Sequence, residues 1–314
     1  VQNRLVALGV RDVRRLTGGR SSLTFAGVLA DDEPVVIKVA PPGVEPTLNR
    51  DVLRQARLLK SLESAGVSVP AVLFEDRGAP PELPPLFVMT FVEGDSLEPL
   101  FDLEGHGSVE VMAERLRHAA ETMAALHGVS PETVGLGAEP VVGVADEIDR
   151  WSELLKTVDP ELAPGWAEVA EALRATSVAP MAPAIVHGDF RLGNLLAHGT
   201  EITAIIDWEI WTIGDPRVDV GWFLINADPA TYDRPTPYVG HMPPIDELAA
   251  RYAETLGRAV PDLEFFRALA CFKSVATWSL IVKHNRRRDV PDPEVEAMAA
   301  ALPRLLRAAR SLLG

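Results

Sequence analysis

His187-Gly188-Asp189-Phe190-Arg191-Leu192-Gly193-Asn194, followed thirteen residues beyond Asn194 by Asp207 within Ile205-Ile206-Asp207-Trp208-Glu209, is the densest chemical signal in the chain. Asp189 and Asn194 share one loop, so a single turn can aim both side chains the same way. The apolar run 195–197, the turn His198-Gly199-Thr200 and the apolar run 202–206 read as a hairpin. A hairpin returns the chain to its starting end, which brings Asp207 near Asn194. The resulting donor set is oxygen only, as magnesium prefers. A carboxylate beside an attacking hydroxyl, with one or two oxygen ligands for magnesium, is what phosphoryl transfer requires.

Upstream of this island the chain is rich in strands. Residues 22–29 and 34–40 are β-rich runs either side of Asp31-Asp32-Glu33, a polar turn, and a first strand fits near 13–16. Val52, Leu53, Ala56, Leu59 and Leu62 recur at helical spacing over 49–65, and Gly66 stops the helix. Residues 69–74 and 86–92 read as two further strands. Beyond Gly94 the pattern turns helical, over 109–127, 141–155, 161–175, 217–226, 245–257, 263–284 and 293–313, interrupted only by the island. The expected class is α+β, with a β-rich region at 1–93 and a mostly helical one at 94–314.

His-Gly-Asp-x-x-x-x-Asn, then Ile-Asp-Trp-Glu, then Gly214-Asp215-Pro216-x-x-Asp219 resembles the aminoglycoside phosphotransferase and choline kinase superfamily, small-molecule relatives of the protein kinases. The resemblance extends over nearly the whole chain. It implies a bilobal, protein-kinase-like fold with a nucleotide-binding N-lobe at 1–93. The C-lobe at 94–314 would carry the catalytic loop, the metal site and the acceptor pocket. It implies Asp189 as catalytic base or hydroxyl-orienting group, Asn194 and Asp207 as magnesium ligands, and structural roles for Asp215 and Asp219. ATP is the implied phosphoryl donor, with GTP not excluded, and a small-molecule hydroxyl is the acceptor. His187 reads as a hydrogen-bonded scaffold beneath the loop.

The same resemblance gives the nucleotide half its roles. Lys38, alone in the apolar strand Val35-Val36-Ile37-Lys38-Val39, stands where a kinase-like lysine reaches the α- and β-phosphates. Thr17-Gly18-Gly19-Arg20-Ser21-Ser22 occupies the place of the phosphate-covering loop. Gly19 lets backbone N–H groups approach an anion, and Ser21 or Ser22 adds a hydroxyl. Phe87 to Gly94 reads as the hinge: Met89 packs behind the purine, and backbone groups of Thr90, Phe91 and Val92 meet its edge. One departure stands out. The family's helix glutamate, partner of the strand lysine, is replaced by Gln55 in Arg54-Gln55-Ala56-Arg57, and Asp51 one turn earlier is the available substitute. A weaker lysine anchor is the expectation.

The acceptor side is thinly written. Trp208, Trp211, Trp222 and Trp278 either line a pocket or fill core, with Trp222 read as core. Glu209, Asp228, Asp233 and Glu247 suit a cationic acceptor. Lys273, Lys283, Arg286, Arg287 and Arg288 suit an anionic one or a helix C-terminus. The Asp-Trp-Glu and Gly-Asp-Pro forms are also similar to phosphotransferase domains linked to acyl-CoA dehydrogenases, which implies hydroxyacyl thioesters as an alternative acceptor class. A catalytically weak nucleotide-binding regulatory module is a further alternative, to which only Gln55 points.

The 314 residues carry a formal net charge of -15, a surface that repels nucleic acid and anionic membrane. One cysteine, Cys271, excludes an internal disulfide, and its apolar neighbours place it in a buried helix. The start lacks the long apolar region of a signal peptide, and the apolar stretch 274–282 is too short to span a bilayer. A cytoplasmic location is the expectation.

Overall fold

In the computed structural model, which describes residues 2–16, 22–228 and 231–314, the chain divides into two compact units. The first comprises Val1–Ser96, Val129–Ala138 and Asn194–Trp211, and the second Leu97–Gly128, Glu139–Gly193 and Thr212–Gly314. The sequence reading drew one break after residue 93. The structure instead groups Asn194–Trp211 with the N-terminal strands.

The first unit is built on an antiparallel sheet of β1 (Arg11–Arg15), β2 (Leu23–Val28), β3 (Pro34–Val39), β4 (Val72–Asp76) and β5 (Leu86–Thr90), in the order β1-β2-β3-β5-β4. β3 lies at its centre, as its β-branched run suits. Successive side chains point to opposite faces of a strand. Val35, Ile37 and Val39 therefore share one core with Leu86, Val88, Leu5 and Val10, and Lys38 falls on the other face, paired in register with Phe87. Leu5 comes from α1 (Gln2–Ala7), a helix too short to announce itself by periodicity. α2 (Val52–Ser64) begins later than expected because Asp51 caps it, accepting from Leu53 N and Arg54 N, each at 3.1 Å.

The expected hairpin is present as β8 (Leu195–His198) and β9 (Glu201–Ile205). It docks on the first unit through Ile205 N to Ser68 O, 2.9 Å, and through a bridge between Ala197 and Asp95. Gly94 permits that bridge. Its φ is +146°, and a Cβ there would lie 3.0 Å from both the nitrogen and the oxygen of Ala197.

The second unit is helical around a small sheet of β6 (Val141–Val142), β10 (Thr212–Gly214) and β7 (Ala184–Val186). β6 and β10 are too short to show a period of two, and neither was foreseen. α3 (Val109–His127) matches its expected bounds; α4 (Val144–Leu155), α5 (Trp166–Ala175), α6 (Arg217–Ala227) and α7 (Ile245–Leu256) fall close to theirs. The expected last helix is split into α9 (Pro293–Ala297), a 3-10 turn and α10 (Leu302–Leu313), with Pro303 in the first turn of α10. α8 (Leu263–Asn285) is the central core element, against which α4, α5, α6 and α10 pack. With 23 residues and a mean hydropathy of 1.4 in its most apolar window, it is long and apolar enough to cross a membrane. The sequence reading took this stretch as too short. The window is 72% buried within the protein, so core packing accounts for its composition.

α6 meets α8 backbone to backbone at Gly221, where an added Cβ would fall 2.3 Å from the Phe266 carbonyl oxygen. Neither helix backbone can yield cheaply. Gly221→Ala should therefore cost about 1–3 kcal/mol of stability through overpacking, read as a lower urea midpoint at unchanged slope. An unshifted midpoint would show that the helices separate freely.

Candidate active site

Three of the expected residues come together in the first unit. The β8–β9 register pairs Leu195 with Ile205, so Asn194 and Ile206 lie one step beyond it, joined by Ile206 N to Asn194 O at 3.0 Å. Asp207 follows in the left-handed region, φ +65° and ψ +54°. Aspartate visits that region more readily than most residues. The turn ends the strand, and Asp207 Oδ1 stands 3.2 Å from Lys38 Nζ. The lysine side chain is only 9% exposed and the aspartate 34%, so the pair is shielded on one side and open on the other. Arg54 of α2 stacks 3.8 Å over the Trp211 ring and donates to the Trp211 carbonyl at 3.2 Å. This ties the helix to the segment that carries Asp207.

The lysine's partner therefore differs from both candidates on α2. Asp51 is consumed as the helix cap, and the buried Gln55 donates through Nε2 to Asn49 O at 3.4 Å. Gly19 and Ser21 lie outside the described residues. Ser22 is buried, and its hydroxyl finds no hydrogen-bond partner among the described residues. At the expected hinge, Met89 is buried and Phe91 exposed. The sheet takes up two of the expected purine donors: Thr90 N donates to Ala71 O at 2.9 Å and Phe91 N to Pro34 O at 3.1 Å. Thr90 Oγ1 accepts from Ala71 N at 3.0 Å.

Asp189 lies in the second unit, on the loop that leaves β7. Asp219, wholly buried at the start of α6, accepts from His187 N at 2.6 Å, from Gly188 N at 2.8 Å and from His127 Nε2 at 3.3 Å. Burial alone would push this carboxyl up. The His127 hydrogen bond, the electrostatic influence of the two neighbouring imidazoles and the His187 amide outweigh burial and hold it below the usual carboxylate range. His127 is itself fixed by Tyr252 Oη, 2.7 Å from Nδ1. His187 is fully buried, and its Nδ1 accepts from Asp189 N at 3.1 Å, the scaffold geometry expected of it. Asp215 grips Arg217 through two bonds of 2.9 and 2.7 Å; the guanidinium reaches Asp262 and the Ala179 carbonyl as well.

Asp189 Oδ1 accepts from Trp222 Nε1 at 2.8 Å and from Arg191 Nε at 3.3 Å. Arg191 also faces Glu98 at 3.5 Å, and Glu98 accepts from Gly193 N at 3.2 Å. Burial pushes the Glu98 carboxyl up against the pull of Arg191. Sequence reading missed Glu98, Arg191 and His127, and it placed Trp222 in the core. Trp222 is indeed buried, but its N–H is spent on Asp189. An indole in a helix that follows the motif was the one available signal.

The acceptor candidates resolve into ordinary contacts. Glu247 pairs with Arg117 at 2.6 Å, Asp233 with Arg304, and Arg286 with Glu296 at 2.8 Å; Lys283 donates to the Thr157 carbonyl. Trp278 packs on Phe101, their rings 5.6 Å apart. Cys271 is buried as expected, and burial pushes its thiol up to about 12, which removes it as a nucleophile.

Comparison with known proteins gives the family. A family model described as a phosphotransferase enzyme family matches residues 12–269. Mouse acyl-CoA dehydrogenase family member 10 is 24% identical over 293 residues, covering 88% of this chain and 27% of that protein. Chicken acyl-CoA dehydrogenase family member 11 is 29% identical over 287 residues, covering 84% of this chain and 36% of that protein. The chain thus spans about a third of the length of these curated relatives. Among solved structures, a Ralstonia eutropha protein assigned as an aminoglycoside phosphotransferase aligns over 99% of this chain and 97% of its own, with a TM-score of 0.78 at 21% identity. The macrolide 2'-phosphotransferase MphH of Brachybacterium faecium aligns over 96% of both chains, with a TM-score of 0.62 at 21% identity. A thermostable mutant of APH(4)-Ia, solved as a ternary complex with ADP and hygromycin B, aligns over 98% of both chains, with a TM-score of 0.63 at 16% identity. The chain shares the kinase-like α+β fold of these structures, and by its sequence it belongs to the phosphotransferase enzyme family.

Proposed function

We propose that this phosphotransferase transfers the γ-phosphoryl group of a magnesium-bound nucleoside triphosphate, ATP in the first place, to a hydroxyl of a small molecule. The observation that carries the reading is the Lys38–Asp207 pair, 3.2 Å across and 169 residues apart in sequence, with Asn194 at the mouth of the same hairpin. A cation beside a carboxylate and an amide is the apparatus that triphosphate and a hard divalent ion need together. Among the described residues no group of three or more His, Cys, Asp or Glu gathers to hold a metal. That fits magnesium, which takes few protein ligands and fills the remainder with water and phosphate.

Asn194 and Asp207 would hold the ion; when bound, it neutralises charge on the phosphate oxygens. Lys38 would meet the α- and β-phosphates, and the hydroxyl of Ser22, without a partner among the described residues, would donate to the same chain of oxygens. With the Thr90 and Phe91 amides engaged in the sheet, the Val92 amide and the neighbouring carbonyls would receive the purine edge. Asp189 would orient the acceptor hydroxyl and take its proton. The acceptor oxygen then bonds to the γ-phosphorus, the bond from that phosphorus to the β,γ-bridging oxygen breaks, and the nucleoside diphosphate leaves. Positioning and charge neutralisation provide most of the rate.

The acceptor reading has two branches. The fold relatives include an enzyme captured with hygromycin B, which supports a sugar hydroxyl. The sequence relatives are acyl-CoA dehydrogenase family members, which supports a hydroxyacyl thioester, and the sequence match favours this branch. ADP release in the presence of 3-hydroxybutyryl-CoA or of hygromycin B separates them. Faster release with the sugar alone overturns the preference.

Two substitutions test the roles. Asp189→Asn should lower kcat by about 10²–10⁴-fold with nucleotide affinity retained; a wild-type rate in that variant removes the base assignment. Lys38→Met should weaken binding of magnesium ATP in titration calorimetry while the fold persists, since the change keeps the length of a side chain that is nearly buried. Equal affinity in the two proteins would mean that Lys38 serves only Asp207.

A further inference from the structure

One buried cation has no part in the chemistry above. Lys273 sits in the middle of α8, 4% exposed, and burial lowers its affinity for the proton while Asp189, Glu147 and Asp219 oppose that effect. Its ammonium donates to the Gly188 carbonyl. It lies 4.1 Å from the centre of the Trp222 ring and 5.6 Å from that of Trp151, whose own N–H is held by Glu147 at 2.9 Å. Among the described residues it forms no ion pair within 4.0 Å. An ammonium so placed is costly, and an apolar side chain of similar volume would be cheaper.

The contacts show what the charge does. Gly188, with φ +86°, precedes Asp189. Its N–H is bound by Asp219 and its carbonyl by Lys273, so the peptide before the base is pinned on both sides. The Asp189 side chain is pinned separately, by the Trp222 N–H at 2.8 Å. Lys273 bears on that indole too, through the face of its ring. Trp222 is itself buried, 6% exposed, and it follows Gly221, where α6 and α8 are in backbone contact.

We infer that Trp222 and Lys273 are positioning residues that fix the carboxylate of Asp189 for proton transfer, with Lys273 acting both through the Gly188 peptide and through the Trp222 ring. The inference rests on the reading of Asp189 as the base. Neither residue need touch the acceptor or the nucleotide. Their effect should appear in turnover rather than in binding.

The test uses the full chain with Trp222→Phe, Lys273→Met and Asp189→Asn. ADP release from magnesium ATP with water as acceptor gives kcat and KM. Thermal unfolding gives stability, and ¹⁵N–¹H spectra of the tryptophan indoles give a readout independent of turnover. Trp222→Phe and Lys273→Met should each lower kcat about tenfold or more with KM for ATP unchanged, as loss of orientation predicts. Lys273→Met removes a buried charge but also its bond to the Gly188 carbonyl, two opposing effects, so its melting temperature should move by only a few degrees. The indole resonance that vanishes in Trp222→Phe should move in both Asp189→Asn and Lys273→Met. Wild-type kcat in both variants, a fall in melting temperature without a fall in kcat, or an indole resonance indifferent to Asp189 would overturn the inference. A wild-type rate in Asp189→Asn would instead overturn the base assignment, and the indole shifts would still decide whether the three side chains are coupled.

Discussion

A buried carboxylate with every bond directed at one turn of backbone governs the second unit. Asp219 is inaccessible to water and would not stay charged unaided, yet two amides and a histidine satisfy it. Hydrogen bonds to a charged group contribute about 1.5–3 kcal/mol each, so their sum offsets the cost of burial only while all partners stay in place. The amides belong to the two residues before Asp189. The conformation of the loop before Asp189 and the ionisation of Asp219 are therefore one equilibrium. The Asp215–Arg217 clasp, four and two residues earlier, anchors the start of α6 and so fixes where Asp219 stands.

The first unit works by a different economy. Strand alternation places Lys38 on the face away from the aliphatic core, and the register of a short hairpin, ended by a left-handed aspartate, brings Asp207 to meet it. No long-range network is required. The pair is only partly desolvated, so its carboxylate stays accessible to a ligand, and a cation that now faces aspartate would face phosphate oxygens instead. Gln55 takes no part in the pair and bonds instead to the Asn49 carbonyl. The helix α2 contributes through Arg54 stacked on Trp211, and not through an acid on the lysine.

Most elements could be read from the sequence, because helices such as α3 and strands such as β3 carry clean periodicity and the motif supplied the hairpin between them. The misses have physical causes. β6 and β10 hold two and three residues, too few for a pattern, and α1 spans less than two turns. Asp51 seemed available to Lys38 because a helix cap and an ion-pair partner look alike in one dimension. Trp222 and Lys273 were invisible as partners of Asp189 because nothing in a linear string tells which face of α6 or α8 will meet a loop formed 33 and 84 residues earlier.

The composition of α8 bears on how the chain is made. As the polypeptide leaves the ribosome, α4, α5 and α6, three of the helices packed on α8, have already emerged, and α9, the 3-10 turn and α10 await synthesis. Vectorial production thus limits the time for which a segment apolar enough for a lipid bilayer stands bare. A chain cut short before residue 302 would lack α10 and leave part of the α8 core uncovered, open to chaperones, to aggregation or to membrane.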